Sequence, residues 1–355
     1  MSQQHDNALA TLAARAYAGA AAARRSWFER HPEARRRLSR PVVSVGNLRA
    51  GGSGKTPLVA LLARWLRDRG EHPSILSRGY GRRARPDGIV VVSDGLHVRA
   101  DLDRAGDEPL MLARALDGVA VLACPDRYLA GCLAERRLGC TVHLLDDGYQ
   151  HLALEREINL LLVAPEDVAS PRVLPAGRLR EPLDAARAAD ALLVTTPKED
   201  EAEAIGVRLG VAPVFRVRRI EGTVKLADAV GRAVEPAPGT RVLAVAGIAE
   251  PERFIDGLRA SGWNVAGTLI FADHHRYGPR DLEAIGRSAA AAHAVMVVTT
   301  GKDLVRLLPL RPFPLPVASA GLDLSIDPKE RFDDWLGRRL ETCGKGAADR
   351  GRVEA

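Results

Sequence analysis

The stretch "VVSVGNLRAGGSGKTPLVALLARWL", Val42 to Leu66, constrains this chain more than any other: an apolar strand runs into a glycine-rich turn and then into a helix. Gly51, Gly52 and Gly54 permit positive φ and close backbone approach, so successive N–H groups around Ser53 can converge on phosphate oxygens. The helix that follows adds roughly half a positive charge at its N-terminus. Lys55 is then placed to reach β- and γ-phosphates, and the Thr56 hydroxyl to bind Mg²⁺. The common G-x-x-x-x-G-K-[ST] spacing puts its first glycine where this chain has Arg49, so the grip is recognisable but altered.

A second stretch completes a nucleotide site. "VHLLDDGYQH", Val142 to His151, delivers Asp146 and Asp147 at the carboxyl end of an apolar strand, where open parallel sheets bind ligands. One such carboxylate beside Thr56 would suit Mg²⁺, which takes oxygen ligands and waters.

The surrounding pattern is α/β. The runs "PVVSVGN", "PSILSRG", "VAVLAC", "CTVHLLDD", "INLLLVA" and "DALLVTT" are each followed by a turn or helix signal, which predicts a parallel sheet of P-loop NTPase type with helices on both faces. "GIVVVSDGLHVRAD" reads as a small hairpin turning at Asp94-Gly95. We therefore expect a nucleotide-binding core over 41–212 and a β-hairpin connector over 213–238 that turns at Glu221-Gly222. A smaller α/β domain over 239–341 and a polar, disordered tail over 342–355 follow.

Residues 1–40 stand apart. Leu9, Leu12, Ala16, Ala20 and Trp27 recur at helical spacing, and Arg24, Arg25, Arg30, Arg35, Arg36, Arg37 and Arg40 hold much of the +6 net charge. Asp6 and Arg15 argue against a signal peptide, and the run lacks the ~20 strongly apolar residues of a spanning helix. A helix lying on an anionic membrane fits, as does an ordinary helix packed on the domain. Cys124, Cys132, Cys140 and Cys343 form no paired framework or metal spacing, which fits a reducing compartment.

A nucleotide grip does not name a reaction, and the remaining clusters narrow it. Asp107 of "GDEP" falls at a helix N-terminus, where capping is the plainer role. His274 of "FADHHRY" falls at a strand exit beside Asp273, open to either a structural or a chemical role. Together, "SVGNLRAGGSGKTP", "SRGYGR", "GDEP", "DDGYQH", "VLPAGRLREPL" and "FADHHRY" resemble, in order and spacing, the tetraacyldisaccharide 4′-kinase family of Gram-negative bacteria. The resemblance implies transfer of the ATP γ-phosphate to the 4′-hydroxyl of a tetraacylated glucosamine disaccharide 1-phosphate, in lipid A biosynthesis. That lipid and the cytoplasmic face of the inner membrane are the implied partners, and no nucleic acid is expected.

Carried over, the resemblance assigns Lys55 and Thr56 to nucleotide and metal, and Asp107 to the general base paired with His274. Asp146 and Asp147 would serve metal and active-site network, Glu181 of "LREPL" would assist Mg²⁺, and Arg127 and Arg180 would contact phosphates. Tyr149, Arg178 and Gly301 depart from the family's usual Phe, Pro and Glu, and none of them is a proposed catalytic group. The competing reading is a membrane-associated P-loop switch or partitioning module. It lacks an N-K-x-D guanine signature and has no use for an Asp107–His274 pair.

Overall fold

The computed structural model describes residues 2–51, 54–84, 88–227, 232–237 and 239–350. The chain opens with helix α1 (Ser2–Arg30), then strand β1 (Val42–Asn47), α2 (Lys55–Arg67), β2 (Pro73–Ser77) and β3 (Val90–Asp94). There follow α3 (Leu102–Ala105), α4 (Asp107–Ala115), β4 (Ala120–Ala123), α5 (Arg127–Leu138), β5 (Val142–Asp146), β6 (Ile158–Val163) and α6 (Pro165–Ala169). Next come β7 (Ala191–Val194), α7 (Glu199–Leu209), β8 (Val214–Leu226) and β9 (Ala233–Val234). The last part contains β10 (Arg241–Ala246), α8 (Pro251–Ala260), β11 (Asn264–Ile270), α9 (Pro279–Ala291), β12 (Met296–Thr300), α10 (Gly301–Leu307), β13 (Val317–Asp327) and α11 (Lys329–Arg350).

All of these strands belong to one sheet, in the order β11-β10-β12-β13-β8-β7-β6-β1-β5-β2-β4-β3, with β9 attached to β8. The apolar runs read from sequence become its parallel interior. Every residue of β1 and of β6 is buried, as strands covered by helices on both faces must be. The expected hairpin after β3 forms, with Ser93 bridged to Val98 and the Arg99 amide donating to the Val92 carbonyl.

The connector departs from expectation. Glu221-Gly222 is not a turn: β8 runs straight through it, parallel to β7 at its start and antiparallel to β13 along its length. Glycine is there because two backbones nearly touch, since a Cβ on Gly222 would lie 2.5 Å from the Gly321 carbonyl oxygen. The only hairpin in this segment is the two-residue pairing of β8 with β9, among the described residues. Residues 228–231 and 238 of the expected connector lie outside them.

The β8–β13 pairing makes the two α/β blocks one continuous sheet, and the chain then returns to the first block. Leu324 and Ile326 of β13 and Phe332 and Leu336 of α11 share a core with Val43 and Val45 of β1 and Leu58 and Leu62 of α2. The expected smaller domain over 239–341 thus shares a core with the first block, and α11 runs through the expected boundary at 341 as far as Arg350, where a disordered tail was expected. The reason is an apolar stripe on α11: Phe332 meets the Phe215 ring edge to face at 5.0 Å, and Asp333 accepts a 2.8 Å bond from the Trp65 indole.

Phe332 is 2% exposed, so truncation to alanine should leave a cavity between α11 and β8 and cost about 3–5 kcal/mol. Chemical denaturation of Phe332→Ala measures this, and a loss under about 1 kcal/mol would mean that α11 is not docked as described.

Candidate active site

The glycine-rich turn leaves the buried end of β1 and enters α2. Gly54 at φ 86° lets the chain turn into the helix, which begins at Lys55 itself. Gly52 and Ser53 lie outside the described residues. Lys55 is held from both sides: its ammonium lies 2.8 Å from Asn47 Oδ1 and 2.9 Å from Asp147 Oδ1. Thr56 is buried beside it, at the first turn of α2. Arg49, at the altered glycine position, is buried and faces Asp167 at 3.6 Å and Glu250 of the second block at 3.9 Å.

The two aspartates after β5 divide sharply. Asp146 is 3% exposed, and its Oδ1 has no hydrogen-bond partner. Burial, with the nearby Glu108 and Asp147 charges, pushes its pKa up to about 7 against the pull of Lys55 and Lys302. Asp147 adopts φ 55°, which turns its carboxylate toward Lys55 and toward Arg180, whose Nη1 donates at 2.7 Å. Burial acts to raise the Asp147 pKa, but the two cations outweigh it and hold the group below its ordinary range.

Gly46 makes this turn possible. A Cβ there would stand 2.5 Å from Tyr149 Cβ and 2.7 Å from the Tyr149 amide nitrogen, so the "DDGYQH" turn lies directly on β1.

Two other expected site residues have different settings. Arg127, the first residue of α5, is buried and lines the cleft, with Nη1 donating to the Pro125 carbonyl at 2.9 Å and Nε unpartnered. Glu181, expected to assist Mg²⁺, lines the cleft and pairs with Arg25. That guanidinium donates to Oε2 from Nε at 2.9 Å and from Nη2 at 2.5 Å, and it lies over the Tyr149 ring at 4.9 Å. The basic cluster after α1 is consumed similarly, with Arg36 on Asp126 and Arg37 on Glu157.

The second block closes the site. His274, with φ 58°, projects from the loop after β11 and places Nδ1 2.9 Å from Asp107 Oδ2. Asp107 opens α4, but the cap is Gly106, so the plain capping role does not hold. Its Oδ1 accepts from the Glu108 amide at 2.9 Å, while Oδ2 also accepts from Nε of Arg306 at 3.0 Å. Arg306 is itself held by the Gly247 carbonyl and by Asp303, which accepts from the Tyr277 and Thr300 hydroxyls. Burial would raise the Asp107 pKa, yet the His274 hydrogen bond and the Arg306 charge hold it well below the carboxylate range. The same hydrogen bond raises the His274 pKa, against partial burial.

A cleft of about 1780 Å³ runs between the blocks, lined among others by Lys55, Thr56, Asp146, Lys302 and His274. Asp107 lies behind His274 and off its wall. Asn47, Glu108, Lys302, Asp303 and Arg306 were not singled out from sequence. Lys302 and Asp303 lie in "TTGKD", Thr299 to Asp303, a stretch read from sequence only for the departure at Gly301 and for the absence of an N-K-x-D spacing.

Gly46→Ala tests the packing that carries Asp147 to Lys55. The added methyl must push the turn away, so stability should fall by about 1–3 kcal/mol and ATP affinity should drop with it, as calorimetry can show. Unchanged ATP affinity would separate the turn from the nucleotide grip.

The comparisons agree with this geometry. The family model described as tetraacyldisaccharide-1-P 4′-kinase matches residues 7–341. The chain is 42% identical to a tetraacyldisaccharide 4′-kinase of Geobacter sulfurreducens over 82% of each chain. It is 38% identical to one of Anaeromyxobacter sp. over 94% of this chain and 90% of that one. The crystal structure of the "apo" form of LpxK from Aquifex aeolicus in complex with ATP is similar with a TM-score of 0.74 and 31% identity, covering 92% of this chain and 97% of that one. With the motifs, the P-loop sheet and these relatives in agreement, the chain belongs to the tetraacyldisaccharide-1-P 4′-kinase family.

Proposed function

We propose that this protein transfers the γ-phosphate of ATP to the 4′-hydroxyl of a tetraacylated glucosamine disaccharide 1-phosphate in lipid A biosynthesis. The observation that carries this reading is the convergence of a phosphate grip and an Asp107–His274 pair on one cleft. A nucleotide switch needs only the first.

Lys55 and the glycine-rich turn hold the β- and γ-phosphates, and Arg127 and Arg180 line the cleft as further phosphate contacts. Mg²⁺ fits Thr56 and Asp146: the unpartnered, buried Oδ1 of Asp146 has the unmet electrostatic need that a hard cation satisfies. When bound, Mg²⁺ supplies charge neutralisation on the transferring phosphate.

The sugar hydroxyl is a weak nucleophile, so its proton must go to a base as the loose phosphoryl group moves. Asp107 and His274 act as that base together. His274 fronts the cleft, while Asp107 fixes the ring through Nδ1 and stabilises the positive charge that the ring gains. The hydroxyl oxygen forms its bond to phosphorus, the bond to the β-phosphate oxygen breaks, and ADP leaves with the electron pair. Because Asp107 and His274 come from different blocks, chemistry requires the blocks to be together, and their closure also excludes water.

In this reading the protein works at the cytoplasmic face of the inner membrane, and helix α1 supports its association with a membrane surface. Leu9 and Leu12 are 67% and 66% exposed, and Tyr17 and Trp27 lie open on the same helix, so this face is not packed on the domain. No helix among the described residues is long and apolar enough to cross a membrane.

Purified protein given γ-labelled ATP, Mg²⁺ and the disaccharide 1-phosphate lipid should label the lipid, and ATP hydrolysis without lipid labelling would refute the kinase reading. In the same assay Asp107→Ala should lower turnover about 10²–10⁴-fold with ATP binding retained. Near-normal turnover would remove Asp107 from the base.

A further inference from the structure

Lys302 is a cation of the cleft wall that the mechanism above leaves without work, and it comes from the second block. It follows Gly301 at the start of α10, and its ammonium pairs with Glu108, the neighbour of Asp107. Arg306 lies four residues further along the same helix face and is locked onto Asp107. Lys302 itself lines the cleft.

Lys302 lines the same cleft as Thr56 and Asp146, which would hold the metal, and as His274, which would take the hydroxyl proton. Its partner Glu108 adjoins Asp107, the group that fixes the His274 ring. Burial alone would lower the Lys302 pKa, but Glu108, Asp107 and Asp146 outweigh it, so the side chain stays charged.

Lys55 cannot cover this side, since Asn47 and Asp147 fix it beside β1. Charge in the transition state spreads over three equatorial oxygens, and Lys302 can meet it with a cation from the second block. The Lys302–Glu108 pair is partly open, with side chains 26% and 31% exposed, so exchange of one anionic partner for another is feasible.

We propose that Lys302 is a catalytic residue that leaves Glu108 for the γ-phosphoryl group and stabilises the charge on its equatorial oxygens during transfer. It exchanges no proton, and the bonds made and broken are those already given. This inference rests on the kinase reading, and it makes the second block a supplier of charge as well as of the base.

The test compares wild type, Lys302→Met and Lys302→Gln, the last keeping a donor toward Glu108 should the methionine variant not fold. Three quantities are measured: lipid labelling, ATP affinity and affinity for ADP with aluminium fluoride, a mimic of the phosphoryl group in transit. We expect turnover to fall about 10²–10³-fold, affinity for the mimic to fall in parallel, and ATP affinity to stay near wild type. Near-normal turnover, or slowed turnover with unchanged binding of the mimic, overturns the role of Lys302. A parallel loss of ATP affinity also overturns it, because it assigns Lys302 to ground-state binding. Failure of wild type to label the lipid overturns the kinase reading instead, so the two failures are distinguishable.

Discussion

The ion pair between Asp107 and Arg306 is the interaction on which the rest of the site depends. Both side chains are almost wholly buried, at 7% and 3% exposed, and they lie on helices from different blocks, α4 and α10. Neither charge could be buried alone, since an unpaired ion in such surroundings costs several kcal/mol. Asp107 thus finds its buried counter-charge in the other block, while Arg306 is shared between Asp107 and Asp303 of its own helix. The pair is extended by His274 on one side and by Asp303 with Tyr277 and Thr300 on the other. The chemistry sits at the open end of this chain, where His274 meets the cleft.

The sheet explains why the pair can form reproducibly. Antiparallel β8 and β13 fuse the two blocks edge to edge, and α11 then carries the chain back onto the first core beside α2. The glycine-rich turn and His274 are thus fixed to a single sheet, although they lie more than two hundred residues apart in sequence. Within that frame the charges are graded. Lys55 and Arg180 hold Asp147 ionised, burial raises Asp146, and His274 with Arg306 holds Asp107 ionised against its burial. Three carboxylates in and behind one cleft wall are tuned apart by their neighbours.

Much of this was legible in the sequence, and the parts that were not share a physical cause. The parallel strands announced themselves because each is an apolar run buried on both faces, and Gly54-Lys55-Thr56 because phosphate binding needs local backbone geometry. Gly222 misled because glycine marks a turn and a close backbone crossing with the same letter. The tail misled because the apolar stripe of α11 is short and interleaved with charge, so its packing depends on Phe215, far away in sequence. Arg306 carries no local signature, and Lys302 sits in a short "TTGKD" stretch that does not by itself state a role. Arg306 acquires its meaning from a contact across 199 positions, which no motif can encode. Glu181 shows the reverse case: a motif residue whose partner, Arg25, was read as part of a membrane-facing cluster.

The central claim is that Asp107 and His274 form one proton-accepting unit across the two blocks. Nitrogen NMR of histidine-labelled protein, titrated against pH, reports it most directly. In the wild type the His274 ring should lose its proton above the ordinary histidine value of about 6.5, with Nδ1 retaining its hydrogen toward Asp107. In Asp107→Asn the transition should move down, because the hydrogen bond and charge that raise it are gone. A His274 transition at the same pH in both proteins would contradict the account.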